Sequence, residues 1–284
     1  MPATPAICGN GPLEILLTND DGYQAPGIRA LYDALRSAGH HVRLAAPASN
    51  ASGSSVSFTW NTVSIVRDPG DANIAGIHAT PATAVVLGAT ALYPPDRRPD
   101  LVVSGINDGQ NTGSLLAMSG TVGAALAGTM LLDPPIPGFA VNAERAATKD
   151  AQAALPADRL ERIASHLAQL IGSARGWFCE GAMLTRPTTV LNVNYPARPM
   201  SAIRGVAVAR QGRTTDLHLE FESTDTGAYA SRIRLQSTTD DYPNSDVNLL
   251  AAGYVTVTPI SAALGAPPVP PEDLKRLLDA KRFQ

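Results

Sequence analysis

The chain has 284 residues, 44% hydrophobic and 17% charged, a balance that excludes disorder, collagen-like repeats and coiled coil as descriptions of the whole. With 22 basic against 25 acidic residues the formal net charge is −3, so there is no cationic field of the kind that selects polymeric nucleic acid or an anionic membrane. Two cysteines, Cys8 and Cys179, are too few for a disulfide scaffold, and no apolar run reaches the roughly 18 residues of a membrane span.

Residues 1–12 are Pro/Ala/Gly-rich and non-periodic, which predicts a tether or the remainder of a removed signal. Leu13 to Thr18 is a short apolar run, followed by Ile28, Leu31 and Leu35 at helical spacing and by a second apolar run, Val42 to Ala46. Strand, helix and strand within about 30 residues fit a right-handed parallel crossover. Val56 to Val66 alternates and predicts a hairpin-like excursion, and Ile74 to His78 predicts another strand. Pro81 opens a helix to Leu92, and the contiguous apolar run from Asp100 to Ser104 reads as a parallel strand buried on both faces. A Gly/Asn-rich loop, Gly105 to Gly113, comes next. Ser119 is placed to cap a helix from Thr121 to Leu132, and a strand is expected over Phe139 to Asn142. A helix over Leu160 to Ile171 and a strand over Val190 to Asn194 complete a repeating βα core across residues 13–200. The expected fold is a Rossmann-like three-layer α/β/α core.

Residues 201–252 predict a β-hairpin-rich extension, with alternation at Val206 to Ala209, Leu217 to Phe221 and Ile233 to Leu235. Residues 253–284 predict a return strand over Tyr254 to Pro259, then a proline-extended segment and a short helix over Glu272 to Phe283. An arm of this kind packs on another subunit, so a homodimer or homotetramer is expected.

Three loops carry chemistry. Asn19-Asp20-Asp21-Gly22 follows the first strand, where ligands of open α/β sheets bind. Adjacent carboxylates repel unless a cation or proton intervenes, so the pair reads as a hard-cation site or, more simply, as an Asp-Gly turn. The second loop, Ser49 to Ser55, offers hydroxyl and amide oxygens to the same crevice or is a flexible connection. The third, Gly105 to Gly113 with Ser119-Gly120-Thr121 behind it, combines glycines, asparagines and a helix start, the ingredients of a phosphate site. It lacks the Gly-Lys-Ser/Thr ending of a Walker loop. The five histidines lie outside these loops and read as surface or capping residues.

Asn19-Asp20-Asp21-Gly22 with Ala25-Pro26-Gly27, Ala46-Pro47 through Ser52-Gly53, Ser104-Gly105-Ile106-Asn107 with Gly109 and Asn111, and Ser119-Gly120-Thr121-Val122 together resemble the SurE survival-protein family. The resemblance continues through Leu191 to Pro196 and Gly253 to Pro259. Members of that family are metal-dependent phosphatases acting on nucleoside monophosphates. The resemblance implies that Asp20, Asp21, Ser52 and Asn107 bind one divalent cation, Mg²⁺ or Mn²⁺ or else Ca²⁺. It implies that Asn111, Ser119, Gly120 and Thr121 hold the phosphate, and that Asp20, Asp21, Asn107 and Ser119 are catalytic. Thr83 stands where the family commonly has Asp, Met118 where tyrosine is frequent, and Asn248 where some members carry histidine.

The implied activity is hydrolysis of nucleoside 5′- or 3′-monophosphates. Two alternatives are a broad acid phosphatase on sugar phosphates or short polyphosphate, and a non-catalytic nucleotide- or phosphate-binding protein. Base contacts are expected from Tyr23, from Ser54 to Trp60 and from Gln211 to Thr215. The expected compartment is the cytoplasm, or the periplasm or exterior if a signal is removed. An approach of Cys8 to Cys179 would indicate an oxidising compartment.

Overall fold

The computed structural model describes residues 9–94, 96–145, 154–179, 189–214, 217–235, 239–240 and 242–261. Strand β1 (Glu14–Thr18) is buried on both sides: Ile15 and Leu17 face one layer and Leu16 the other. Pro26 sits in the first turn of α1 (Pro26–Ser37), where a missing N–H costs nothing, and Ile28, Leu31 and Leu35 line the buried stripe. The helix ends before Gly39, whose φ of +89° suits glycine and turns the chain into β2 (His41–Pro47). Strand β2 pairs in parallel with β1, giving the expected crossover.

Between β2 and the next strands the chain differs from the alternation in its sequence. Residues 56–64 form no strand; only β3 (Ile65–Arg67) pairs, antiparallel to β4 (Ile74–Ile77) at the sheet edge. Hydroxyls explain the difference. Thr80 donates to the Ser57 carbonyl at 2.7 Å, and the Thr59 N–H donates to Thr83 Oγ1 at 2.8 Å, fastening the segment to the start of α2 (Pro81–Leu87). Thr83 therefore serves as a loop anchor. Helix α2 ends at Leu87, and residues 88–92 continue as a π-turn.

Strand β5 (Leu101–Asp108) runs further than its apolar segment and takes in the first residues of the Gly/Asn-rich loop, with a register shift against β6 (Gly138–Ala143) between Ser104 and Asn107. Helix α3 (Gly120–Met130) begins at Ser119, whose side chain accepts the Val122 N–H at 3.1 Å. Helix α4 (Ala157–Cys179) extends well past the periodic core of its sequence, and β7 (Thr189–Tyr195) follows. His166 on α4 is half-buried, with Nδ1 2.7 Å from the Tyr195 hydroxyl, so it packs inward and is not a free surface residue.

Among the described residues the main sheet has nine strands in the order β3-β4-β2-β1-β5-β6-β7-β11-β8. Here β8 is Val206–Val208 and β11 is Val255–Ser261. The return strand β11 pairs antiparallel with β7, and β8 joins it in parallel at the edge, so β8 belongs to the main sheet. The separate part of the extension is a two-stranded ribbon, β9 (Leu217–Ser223) with β10 (Tyr229–Leu235). Helix α5 (Asp246–Ala251), absent from the sequence expectations, starts at Ser245, whose side chain accepts the Asn248 N–H. Helices α1 and α4 pack on one face of the sheet, α2 and α3 on the other. The C-terminal arm expected beyond residue 261, and the approach of Cys8 to Cys179, lie outside the described residues.

Candidate active site

Strand order reverses at β1, so the chain ends of β1, β2 and β5 open into one crevice at the carboxyl edge of the sheet. The three loops meet there through their backbones. Tyr23 N–H donates to the Pro47 carbonyl at 2.9 Å, and Ala51 N–H to the Asp20 carbonyl at 2.7 Å. Asn19 stiffens the first loop by exchanging two hydrogen bonds with Gly22.

Asp20 is 3% exposed and lies against the start of α3. Its Oδ1 accepts a short hydrogen bond from the Thr121 hydroxyl, and a Cβ on Gly120 would come 2.8 Å from Oδ2. Burial raises the Asp20 carboxyl above its ordinary 3.8; the Thr121 hydroxyl and the main-chain N–H groups of Gly120 and Thr121 act the other way. Asp21 is pushed up to about 6, first by burial and then by the neighbouring Asp20 charge. The Asp108 N–H donates to Asp21 at 3.2 Å and opposes this shift, as does the Arg145 charge. Arg145 itself clamps Asp108 with two bonds of 2.7 and 2.8 Å.

Asn107 donates Nδ2 to the Gly109 carbonyl at 2.8 Å, which leaves Oδ1 as the oxygen with ligand character. Ser52 has an exposed side chain on the loop whose Ala51 holds the Asp20 carbonyl, and its own N–H is taken by Asn50 Oδ1 at 2.9 Å. Ser54 goes deeper. Its Oγ is buried without a protein partner and would lie 2.7 Å from a Cβ on Gly120, beside Asp20. Two compressed carboxylates, an orphaned hydroxyl and an amide oxygen are hard donors, and this set fits Mg²⁺, Mn²⁺ or Ca²⁺ better than zinc.

The residues associated with phosphate divide. Asn111 and Ser119 are buried at the crevice wall, whereas the Thr121 hydroxyl and the first N–H groups of α3 face Asp20. Tyr23, expected to contact a base, is instead core: it is 9% exposed, and a Cβ on Gly76 would lie 2.7 Å from its ring. Trp60 is 87% exposed and tilts against Phe58 at 4.9 Å between centroids. Its loop touches α3 main chain to main chain, for a Cβ on Gly123 would fall 2.0 Å from the Ser55 carbonyl oxygen.

Ser54 was expected only as one of the hydroxyls of the Ser49–Ser55 loop and of the base-contacting segment, and no site role was expected for the Asp108–Arg145 pair, three buried asparagines (Asn142, Asn192 and Asn194) or Asp246. Asp246 is fully buried and accepts N–H bonds from Gly113 at 3.1 Å and Gly212 at 2.8 Å, joining the third loop to the extension. Gly113 has a φ of +55°, and a Cβ there would collide with the Thr214 carbonyl at 1.9 Å. The polar alternation Leu191-Asn192-Val193-Asn194 in a strand buried on both faces was the one signal that pointed to part of this set.

A mostly parallel sheet flanked by helices, with paired carboxylates, amide oxygens and a helix start gathered at its switch point, defines an α/β protein of the doubly wound class. The family model described as Survival protein SurE matches residues 15–217, and the chain belongs to that family. It is similar to "5'-nucleotidase SurE" of Desulfovibrio desulfuricans, 35% identical over 253 residues that cover 87% of this chain and 92% of the relative. It is also similar to "5'-nucleotidase SurE 1" of Burkholderia lata, 33% identical over 87% of this chain and 89% of the relative. Among solved structures, the SurE protein from Aquifex aeolicus superposes with a TM-score of 0.69 at 31% identity, covering 88% of this chain and 94% of that one.

Proposed function

We propose that the chain is a divalent-metal-dependent phosphomonoesterase that hydrolyses nucleoside monophosphates. The observation that carries this reading is the Asp20–Asp21 pair at the switch point, with Asp20 buried against the start of α3 and Asp21 half-buried beside β5. Relatives named 5'-nucleotidase over most of the chain support the substrate class. Asp20, Asp21, Ser52 and Asn107 would hold the cation, with the buried, unpartnered Ser54 hydroxyl as a further donor beside Asp20. When bound, the cation neutralises phosphate charge and polarises the ester or the attacking water.

The chain's own contributions follow from the geometry. Thr121 and the N-terminus of α3 hold the Asp20 carboxylate in place and favour its ionised form. The Ser119 hydroxyl accepts from Val122, which leaves its proton to donate to a phosphate oxygen, and the Asn111 amide is the second donor at the wall. Asp21 carries the second carboxylate of the pair, and the Asp108 N–H at 3.2 Å holds one of its oxygens in place. Gly120 permits the close approach of α3 to Asp20 and Ser54.

Assembly into a homodimer or homotetramer belongs to the same reading. Leu219, Phe221 and Tyr229 share one face of the β9–β10 ribbon and are 49%, 68% and 71% exposed. Among the described residues, no helix is long and apolar enough to cross a membrane.

The test is a panel of phosphate esters with Mn²⁺, before and after chelation. Nucleoside monophosphates should show higher kcat/KM than p-nitrophenyl phosphate and sugar phosphates. Activity indifferent to chelation would refute the metal site, and equal kcat/KM for the minimal esters would remove the nucleotide reading.

A further inference from the structure

Asn111 is enclosed by three other asparagines. Asn142, Asn192 and Asn194 are all 0% exposed, on β6 and β7, and the register pairs Asn142 with Asn194 and Asn107 with Asn142. Main-chain carbonyls fix the orientation of every amide. The Val193 carbonyl can only accept, so Asn142 turns Nδ2 to it at 3.0 Å, and the same Nδ2 donates to Asn192 Oδ1 at 2.8 Å. The nitrogen of Asn142 is then fully used, and its Oδ1 must accept from Asn111 Nδ2, at 2.7 Å. The Asn111 carbonyl likewise takes Nδ2 of Asn192 at 2.8 Å and of Asn194 at 3.0 Å, and Asn194 Oδ1 takes the Asn111 N–H at 2.8 Å.

The direction of each bond is thus set by two main-chain anchors, Val193 on β7 and Asn111 itself, and flipping any one amide would place donor against donor or acceptor against acceptor. Asn111 Oδ1 and the second Nδ2 hydrogen stay outside the array. Burying amides is a poor route to stability, because each must be paired to offset its lost hydration, but a fully paired network holds one orientation. We propose that Asn142, Asn192 and Asn194 are positioning residues that fix the main chain of Asn111 and so hold its side-chain amide toward the phosphoryl group of the substrate. The inference rests on the phosphomonoesterase reading above and deepens it.

A double-mutant cycle on the full chain tests it, reading inorganic phosphate affinity in the presence of Mn²⁺, and Mn²⁺ affinity separately. Asn142→Ala should weaken inorganic phosphate about tenfold or more and raise KM more than it lowers kcat. It should leave Mn²⁺ affinity within about twofold, since the one cation donor beside the array, Asn107, gives its amide to the Gly109 carbonyl at 2.8 Å and not to Asn142. On an Asn111→Ala background the same substitution should add little, because its effect passes through Asn111. Asn142→Ser keeps a hydroxyl in the strand and takes the place of the alanine variant if that one does not fold. Wild-type phosphate affinity in either Asn142 variant would overturn the proposal, as would full additivity with Asn111→Ala. A wild-type protein that neither hydrolyses phosphate esters nor binds inorganic phosphate would overturn the underlying reading as well, which separates the two failures.

Discussion

The Thr121 hydroxyl donates to Asp20 Oδ1, tying the first turn of α3 to the loop after β1 across 101 residues of sequence. The contact places a helix start and a buried carboxylate in one unit. Replacing Thr121 with valine keeps the shape and removes the donor. Thr121→Val should cost on the order of 1–3 kcal/mol, the cost of leaving a buried acceptor without its partner. It should also lower kcat/KM by about tenfold, whereas Thr121→Ser should retain most of both. Urea unfolding and steady-state kinetics on the pair check it.

Asp20→Asn and Asp21→Asn should each lower Mn²⁺-dependent turnover by about a hundredfold or more, since each removes an anionic donor from the cation site. The fold should persist. Burial already raises both carboxyls, so neutralising them removes a cost rather than a support. Turnover and circular dichroism measured together decide this; near-wild-type turnover in both variants would contradict the site.

Asp246 predicts a pH dependence of stability. Burial pushes its carboxyl up to about 6, opposed by the N–H groups of Gly212, Gly113 and Val247. The folded state therefore holds the proton more tightly than the unfolded chain. The associated stability is complete below about pH 4 and lost as pH rises through about 6. Two units correspond to roughly 3 kcal/mol at neutral pH. In Asp246→Asn that part of the dependence should vanish, so the pH 5 to pH 7 difference in unfolding free energy should shrink relative to wild type. Equal differences in the two proteins would assign the dependence elsewhere.

Trp60 separates base recognition from phosphate recognition. Trp60→Ala should raise KM for nucleoside monophosphates several-fold and leave ribose 5-phosphate unchanged, because an exposed indole can stack on a base and a sugar phosphate has no ring to stack. Tyr23→Leu should instead lower stability, as expected of a ring packed on Gly76. A parallel loss on both substrates in Trp60→Ala would make the ring a structural support.

The sequence made legible what local chemistry dictates. The contiguous apolar runs mark the parallel strands, Ser119 marks the start of α3, and the Asp20–Asp21 pair marks the crevice. Less legible were features that depend on distant partners. Helix α5 is six residues long and too short for periodicity, though Ser245 ahead of Asp246 is a recognisable cap. Tyr23 lies in the loop of the site, and only the contact with Gly76 on β4 shows that its ring is core. The alternation at Val56 to Val66 resembles a hairpin because hydroxyls alternate with apolar residues there. Those hydroxyls bind α2 instead of a neighbouring strand.

The contact of Gly123 with Ser55 is made by main chain alone. Ser55 is further tied to Met118 and Ala117, and Ser57 and Thr59 are held by Thr80 and Thr83. The track of this segment is thus nailed down at alternate residues, none of which needs the side chains of Val56, Phe58 or Trp60. Val56 packs against the core on the α2 and α3 side, but Phe58 and Trp60 can be exchanged without moving the crevice, so substrate preference can drift or be redesigned at those two positions while the catalytic loops stay constant.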